Sequence, residues 1–399
     1  MMKFVKKFLK NISILAYFNS IIKDFILRAE TFWIKHIYYG SLANNLIPDN
    51  VYIHDIVQKR MLHDNIKPLS SSNKKLHIYF VGTYYDHEGF GFIQSLKRFG
   101  DVIIFYDKNG KYGINSSMED SSKDFIVANS NYLLKDVNEV HALNPIDFLI
   151  GTFTAPTISL DTLQAIRKLG IPVVNYAMDD RLPVHWKKVS GKQRGAIGLV
   201  EGVDLTLQTT KEFIPRYLSK GGACIYFPFG SDSDIFKPNS IKDIDVLFIG
   251  NNYGKREYLV REIQKSGISI LCYGTGFPNG HLSGNLVPEM FARAKIILGT
   301  GLIGHSSKIV TLKLRDFDAP MSGALYITKF NEDLSEFFEF NKEIVIYNNV
   351  NECIDKLKYY LENKLEREII SNAGRERCIK QHNWDQRIRI LISILTSKE

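Results

Sequence analysis

Residues 245–257 read DVLFIGNNYGKRE, an apolar run that ends in a glycine-containing loop and the charged start of a helix. An apolar run bounded in this way is typical of a buried parallel strand. Glycine lets the backbone approach a ligand closely, and the first turn of the next helix offers unpaired N–H groups to an anion. This stretch therefore predicts a β-α unit with a candidate phosphate site at Gly250 and Asn251.

Two basic residues, Lys255 and Arg256, stand at the predicted start of that helix. Cations are electrostatically unfavourable there unless an anion is bound nearby. The pair therefore fits a phosphate site, and it equally fits a solvated surface pair.

Similar apolar runs recur on both sides of this stretch, separated by segments of helical period. They are 78–81, 102–106, 148–150, 173–176, 205–207 and 224–227, and then 246–249, 268–273, 296–298, 324–327 and 344–347. Their order predicts two Rossmann-like, doubly wound α/β domains that face a cleft. We expect the domains at 71–235 and 236–399, after an N-terminal helical segment at 1–70, with ligands at the carboxyl ends of the strands.

Composition excludes several classes of protein. The 399 residues are 45% hydrophobic and 24% charged, values of a globular chain and not of a disordered one. The four cysteines form no C-x-x-C pair, so neither a disulfide framework nor a zinc site is indicated, and a reducing cytoplasm is expected. Of the net charge of +8, +5 falls within residues 1–40, which argues against a nucleic-acid-coating protein.

The N-terminal segment has the pattern of a basic amphipathic helix. Its apolar residues recur at helical spacing: Phe4, Phe8, Ile12, Leu15, Phe18, Ile22 and Phe25. The longest uncharged run, 11–22, has twelve residues, which is too short to span a bilayer, and no signal-peptide cleavage site follows. Two interpretations stay open: an in-plane anchor on an anionic membrane surface, and a helix packed on its own protein.

A second candidate site lies at residues 312–323, which read LKLRDFDAPMSG. Two cations and a carboxylate at a helix start suit a nucleoside diphosphate. Lys313 and Arg315 would neutralise the phosphates, and Asp318 would accept hydrogen bonds from the ribose hydroxyls. The alternative is an ion pair within the helix between Arg315 and Asp318.

Residues 145–395 resemble CgeB-like glycosyltransferases, the spore-maturation type with the two-Rossmann GT-B fold. The resemblance is carried by DVLFIGN at 245–251, Arg256-Glu257, LKLRDFD at 312–318 with Gly323, DLSEFF at 333–338 and HNWDQR at 382–387. It implies transfer of a sugar from a nucleoside-diphosphate sugar to a saccharide, lipid-linked glycan or protein hydroxyl.

By this resemblance Lys313 and Arg315 hold the donor pyrophosphate, and Asp318 replaces the ribose-binding glutamate of the family. Asp is one methylene shorter than Glu, which makes this contact a departure from the family pattern. Tyr273 ends a predicted strand of the second domain, Gly274 follows it and Gly301 follows a later strand, and these residues would lie near the base or the sugar.

Candidate catalytic groups are predicted in the first domain. Asp179 and Asp180 follow a predicted strand and match a family turn, so either could be the general base for an acceptor hydroxyl, or Asp180 could cap the next helix. His87, in the loop after the first strand, has a side-chain type that titrates near neutral pH, and it is either a base or a bystander.

Neither a metal ion nor a cofactor is expected. The D-x-D triplets lie at 232–234, 243–245 and 316–318, and cations beside the third can replace a metal at the leaving diphosphate. Residues 299–304 match G-x-G-x-x-G, but no convincing helix start follows, so an NAD-type oxidoreductase is the weaker alternative. A non-catalytic nucleotide- or sugar-binding GT-B protein is the other. We expect a cytoplasmic location, which is peripheral on the inner face of the membrane if the N-terminal helix is an anchor.

Overall fold

The computed structural model describes residues 2–397 except 71–74, 84–87, 90, 115–122, 183–187, 190–191, 304–305 and 307. Two helices precede the sheets, α1 (Met2–Ala43) and α2 (Asn50–His63). Asp49 caps α2, because its carboxylate accepts a hydrogen bond from the backbone N–H of Tyr52 at 2.8 Å.

The first sheet has six parallel strands in the order β2-β1-β3-β4-β7-β8. They are β1 (Leu76–Val81), β2 (Gly100–Ile104), β3 (Phe148–Gly151), β4 (Val173–Ala177), β7 (Leu205–Gln208) and β8 (Cys224–Tyr226). A short antiparallel hairpin, β5 (Lys188–Val189) and β6 (Lys192–Gln193), stands apart from the sheet. The helices of this part are α3 (Phe92–Phe99), α4 (Lys123–Leu143), α5 (Leu160–Lys168) and α6 (Ile214–Leu218).

The second sheet has five parallel strands in the order β10-β9-β11-β12-β13. They are β9 (Ile244–Ile249), β10 (Ile270–Tyr273), β11 (Ala294–Leu298), β12 (Leu325–Lys329) and β13 (Val345–Tyr347). The helices are α7 (Arg256–Lys265), α8 (Val287–Arg293), α9 (Arg315–Met321), α10 (Val350–Glu362), α11 (Lys364–Gln381) and α12 (Trp384–Leu395).

Every apolar run of the sequence overlaps one of these strands, and the predicted pair of parallel sheets is confirmed. The physical reason is visible in β1, where residues 78–81 are all buried, so that both faces of the strand are apolar. Parallel strands covered on both faces read as continuous apolar runs and not as alternating ones.

The chain crosses between the two sheets twice, once before β9 and once before α12. The last helix packs against α2 and α3, next to the first sheet. The Trp384 ring lies 5.0 Å from the Phe92 ring, and Arg98 pairs with Asp385 at 2.6 Å. The domain boundaries near residues 70 and 235 stay predictions.

Helix α1 packs on the first domain with one face only. Leu27, Ile34 and Tyr38 are buried, and Ile34 shares an apolar cluster with Phe213 and Tyr217. The opposite face is exposed. Across the part of the chain that the structure describes, no helix combines the length and the hydropathy needed to cross a bilayer.

Candidate functional site

The site lies where the loops at the carboxyl ends of the two sheets meet. Gly250 directly follows β9, and Asp179 stands two residues after β4. Lys313, just before α9, extends across to the first domain, where its Nζ donates to Oδ1 of Asp179 at 2.7 Å. The predicted cleft-facing groups of both domains are therefore in direct contact.

The Gly250 loop has a conformation that requires glycine. Its φ is 155°, and a Cβ at this position would lie 2.8 Å from Nη2 of Arg315. The N–H of Gly250 donates to the carbonyl of Tyr273 at 2.8 Å, and a Cβ on Gly274 would lie 2.3 Å from the Gly250 carbonyl oxygen. Tyr273 and Gly274 thus support the loop through backbone contact.

Two guanidinium groups lie beside Gly250. Arg315 donates through Nη2 to the Ile249 carbonyl at 2.6 Å, and the buried Arg256 donates through Nη1 to the Asn251 carbonyl at 2.6 Å. Among the described residues, neither group forms an ion pair with a carboxylate. Burial lowers the pKa of Arg256 to about 10, and the positive charge of Arg315 acts in the same direction. A bound anion would therefore stabilise these two neighbouring positive charges.

Lys313 is positioned by a buried carboxylate beneath its backbone. Oδ2 of Asp316 accepts a hydrogen bond from the Lys313 N–H at 2.7 Å, and the Tyr326 hydroxyl donates to Oδ1. Burial raises the pKa of Asp316 to about 6, and those two hydrogen bonds oppose a further rise. The start of α9 is thus fixed from inside the second domain.

The two adjacent aspartates of the first domain have different surroundings. Asp179 has a left-handed backbone, with φ of 60°, and its side chain is 42% exposed. Asp180 is buried, and its Oδ2 accepts hydrogen bonds from Gln208 at 2.7 Å and from Tyr217 at 2.6 Å. His87, the third predicted catalytic residue, lies outside the described residues.

Asp318 lies inside α9 and is buried. The alternative interpretation of this residue, an ion pair with Arg315, is wrong for the described side chains, because Arg315 turns to the Ile249 carbonyl. Burial raises the pKa of Asp318 well above its usual range, and the nearby Asp232 acts in the same direction. Its Oδ1 has no hydrogen-bond partner within the described part of the chain.

The solvated-pair interpretation is also wrong for Arg256, which is buried, although Lys255 is exposed. The Arg256 guanidinium lies 4.0 Å from the centre of the Tyr253 ring, and its Nη2 donates to the Tyr253 hydroxyl at 3.0 Å. Sequence reasoning missed Tyr253. An aromatic residue three positions before the arginine was the available signal.

Close contacts and backbone conformation explain two of the glycines in the G-x-G-x-x-G match. A Cβ on Gly299 would lie 2.1 Å from the Tyr326 hydroxyl, and Gly301 has a φ of 60° and accepts the Thr311 N–H at 3.0 Å. Gly304 lies outside the described residues. Helix α9 begins only at Arg315, well beyond the place where a dinucleotide fingerprint needs its helix.

The carboxylates of the first two D-x-D triplets are held by cations. Asp232 pairs with Arg98 at 2.8 Å, Asp243 with Arg293 at 2.6 Å, and Asp245 with Lys295 at 2.6 Å. Within the described ranges, no group of three or more His, Cys, Asp or Glu side chains is arranged to hold a metal ion.

Arg181 joins the two domains and was not singled out from the sequence. Only 5% of it is exposed. It pairs with Glu212 of the first domain at 2.5 Å, with Asp333 of the second at 2.8 Å, and donates to the Val310 carbonyl at 2.6 Å. These partners are far apart in the sequence, so no local pattern indicates them.

Comparison with known proteins supports this architecture. Residues 255–393 match the glycosyl transferase-like family. Sucrose-phosphate synthase from Thermosynechococcus elongatus superimposes with a TM-score of 0.55 at 10% identity, over 80% of this chain and 98% of that one. No curated protein sequence matches the chain.

Two further solved structures share the fold. HepE from Anabaena, in complex with UDP and glucose, gives a TM-score of 0.55 at 12% identity, over 80% of this chain and 100% of its own. A glycosyltransferase from Rickettsia africae gives 0.53 at 13%, over 81% and 98%. The fold is GT-B, as predicted. Together with the family match over the second domain, it defines the class: this chain is a glycosyltransferase.

Proposed function

We propose that the chain transfers a sugar from a nucleoside-diphosphate sugar, and that the diphosphate binds at Gly250, Arg256, Lys313 and Arg315. The observation that carries the proposal is the pair of guanidinium groups at Gly250, which have no carboxylate partner among the described residues. A leaving diphosphate placed there would accept hydrogen bonds from both guanidinium groups and from the Lys313 ammonium.

The remaining donor contacts follow from the same geometry. The unpartnered Oδ1 of Asp318 would accept a hydrogen bond from a ribose hydroxyl if α9 shifted to expose it. The Asn251 carbonyl accepts a hydrogen bond from Arg256, and the loop of Gly301 meets Tyr253 where its hydroxyl donates to the Leu302 carbonyl at 3.3 Å. Both loops would therefore border the sugar or the base. HepE from Anabaena, which has the same fold, binds UDP and glucose, and this favours a uridine nucleotide as the donor.

Asp179 is our choice for the general base, because its exposed carboxylate lies opposite the diphosphate site. It is bound to the Lys313 ammonium at 2.7 Å. A donor diphosphate would compete for that ammonium, and the Asp179 carboxylate would then accept a proton from the acceptor hydroxyl. We assign no such role to Asp180, which is buried and satisfied by Gln208 and Tyr217. His87 stays an alternative base.

The acceptor class in this proposal is a saccharide, a lipid-linked glycan or a protein hydroxyl. The chemistry needs no metal, since the cations neutralise the leaving group. Activity should therefore survive EDTA, and complete loss that Mn²⁺ restores would contradict the assigned site. The CgeB-like subtype is proposed on the sequence motifs alone.

A thermal-shift screen with UDP, GDP, ADP, CMP and dTDP tests donor binding, because a ligand selective for the native state raises its stability. One nucleotide should raise the Tm, and hydrolysis of the matching nucleotide sugar should be measurable. Arg315→Ala should abolish the shift and lower hydrolysis by about 100-fold to 1,000-fold. Arg261→Ala, which removes an exposed arginine on α7, is the matched control.

Three outcomes would contradict the proposal. Full shift and activity in Arg315→Ala would remove the guanidinium pair from the site. A shift without hydrolysis or transfer would favour a non-catalytic binding protein. Stabilisation by NAD but by none of the five nucleotides would favour the oxidoreductase.

A further inference from the structure

Helix α1 has two apolar faces, and only one of them is covered by the protein. The covered face contains Leu27, Ile34 and Tyr38, and it packs on the turn at 211–213 and on α6. An amphipathic surface helix normally turns its second face to water with polar side chains. In α1 that second face is apolar as well.

The outer face of α1 carries large aromatic side chains. Phe25, Phe32 and Trp33 are 71%, 66% and 61% exposed. The same face also exposes Ile22, Ile26, Ile37 and Tyr39. At 100° per residue Phe25, Phe32 and Trp33 lie opposite the covered face, as do Ile22 and Tyr39, whereas Ile26 and Ile37 lie along one flank. Monomeric proteins rarely expose an apolar surface of this continuity without a partner.

Between Ile21 and Ala43, where the structure describes the side chains of α1, charged residues border the outer face, and His36 is the one residue within it whose side-chain type titrates near neutral pH. At helical spacing, Arg28 and Lys35 fall along one edge, and Lys23 and Glu30 fall along the other. A long basic side chain at the edge of an apolar face can place its stem on that face and its charge in water. This is the arrangement of a helix that lies in a membrane interface.

The positive charge of the N-terminal part of α1 favours an anionic surface as the partner of the outer face. The first 23 residues contain five lysines and no acidic residue, and α1 continues without a break through Ala43. Two copies of this helix would bring two such basic ends together, which opposes self-association through the same face. An anionic surface has the complementary charge and attracts each basic side chain near it.

We propose that the outer face of α1 binds an anionic bilayer in plane, with Phe25, Phe32 and Trp33 in the interface, and that the basic N-terminal part of the sequence adds electrostatic attraction to the headgroups. The covered face then connects the bilayer to the rest of the molecule. It lies over Glu212, the partner of Arg181, and Lys35 contacts Glu332 of the second domain at 3.1 Å. Membrane binding would thus hold the interdomain site close to the bilayer surface.

Co-sedimentation of the full chain with vesicles tests this proposal. Vesicles of phosphatidylcholine with phosphatidylglycerol should bind the protein, and added salt should weaken the binding. Phosphatidylcholine vesicles alone should bind less. The variant Phe32→Glu/Trp33→Glu should lose at least about tenfold in binding, because it removes two interfacial aromatics and adds two negative charges.

A matched control is available at exposed apolar residues elsewhere. Leu143→Glu/Leu365→Glu changes two leucines that are 89% and 75% exposed on α4 and α11. This variant should bind vesicles like the wild type. Because both double variants alter exposed side chains, their Tm and their response to the donor nucleotide should equal those of the wild type. The membrane proposal and the proposed donor site can therefore be tested independently of each other.

Three results would overturn the proposal. One is the absence of binding to anionic vesicles, and another is equal binding by the Phe32→Glu/Trp33→Glu variant. The third is a stable dimer in size-exclusion chromatography with light scattering that this variant dissociates, since it would assign the face to a second copy of the chain.

Discussion

Asp179 and Arg181 lie two residues apart in the loop after β4, and both contact the second domain, but in opposite environments. Arg181 is buried and has three partners, in Glu212, Asp333 and the Val310 carbonyl. The Asp179 side chain is 42% exposed and pairs with Lys313, itself partly exposed.

The difference separates a structural contact from one that a ligand can replace. A buried charge that loses its partner is strongly destabilising, so the Arg181 contacts persist. A partly exposed ion pair contributes only about 0–1 kcal/mol, and an incoming phosphate can take over one member at little cost. One loop thus holds the domains together and also presents an exchangeable carboxylate to the site.

Removal of Arg181 should have the largest effect. Arg181→Ala leaves Glu212 buried without its cation, and the free energy of unfolding should fall by about 3–5 kcal/mol in urea denaturation. The double variant Arg181→Met/Glu212→Gln should recover part of the loss, since it removes both charges. Arg261→Ala should stay within about 0.5 kcal/mol of the wild type. A loss of less than about 1 kcal/mol in Arg181→Ala would mean that the bridge is not structural.

Lys313→Ala tests the other half of the comparison. It should lower kcat/KM for the nucleotide-sugar donor by about 100-fold, because the leaving diphosphate loses a cation. The free energy of unfolding should change by no more than about 1 kcal/mol, since the Asp179 pair is partly exposed. Lys313→Arg, which keeps the charge, should retain more activity than Lys313→Ala. A large loss of stability with normal activity would reverse the roles of the two contacts.

The sequence was sufficient for the strands, and it named residues that the structure brings together in the candidate site. Strands such as β1 are buried on both faces, so their apolar runs are continuous and readable without a structure. Gly250 and Arg315 were found because a glycine after a strand and a cation at a helix start each have a local chemical meaning. Their contact with each other depends on the tertiary structure, which brings Arg315 at the start of α9 to the Ile249 carbonyl at the end of β9.

The sequence could not distinguish Asp179 from Asp180, because they are adjacent and chemically identical. Their difference comes from Gln208 and Tyr217, which approach Asp180 from other elements. Arg181 was missed for the same reason. The periodicity of α1 predicted one apolar stripe, and the second, covered face became visible only when the helix was placed against residues 211–218.

Asp316 provides a further test of the difference between the Arg181 and Lys313 contacts, because it positions the backbone of Lys313. It is a buried carboxylate with hydrogen bonds and no ion-pair partner among the described residues. Its pKa of about 6 lies above the usual value of 3.8. Between these values the folded state binds one more proton than the unfolded state, so this group's contribution to stability falls as pH rises. The slope is about 1.4 kcal/mol per pH unit, and it ends above pH 6.

Urea denaturation of the wild type and of Asp316→Asn at pH 4, 5, 6 and 7 isolates this contribution, since other titrating groups cancel in the difference. The wild type should lose stability relative to the variant by about 1.4 kcal/mol per pH unit up to pH 6, and the difference should then be constant. Asn cannot ionise, and its altered hydrogen bonds to Tyr326 and Lys313 add only an offset that does not change with pH. A difference that is flat across the whole range would show that Asp316 is ionised throughout, which would require a cation within reach of its carboxylate. Lys313 would then be bound to Asp316 through its charge as well as through its backbone N–H. The Lys313–Asp179 contact would in that case be less easily exchanged, and it would differ less from the buried contacts of Arg181.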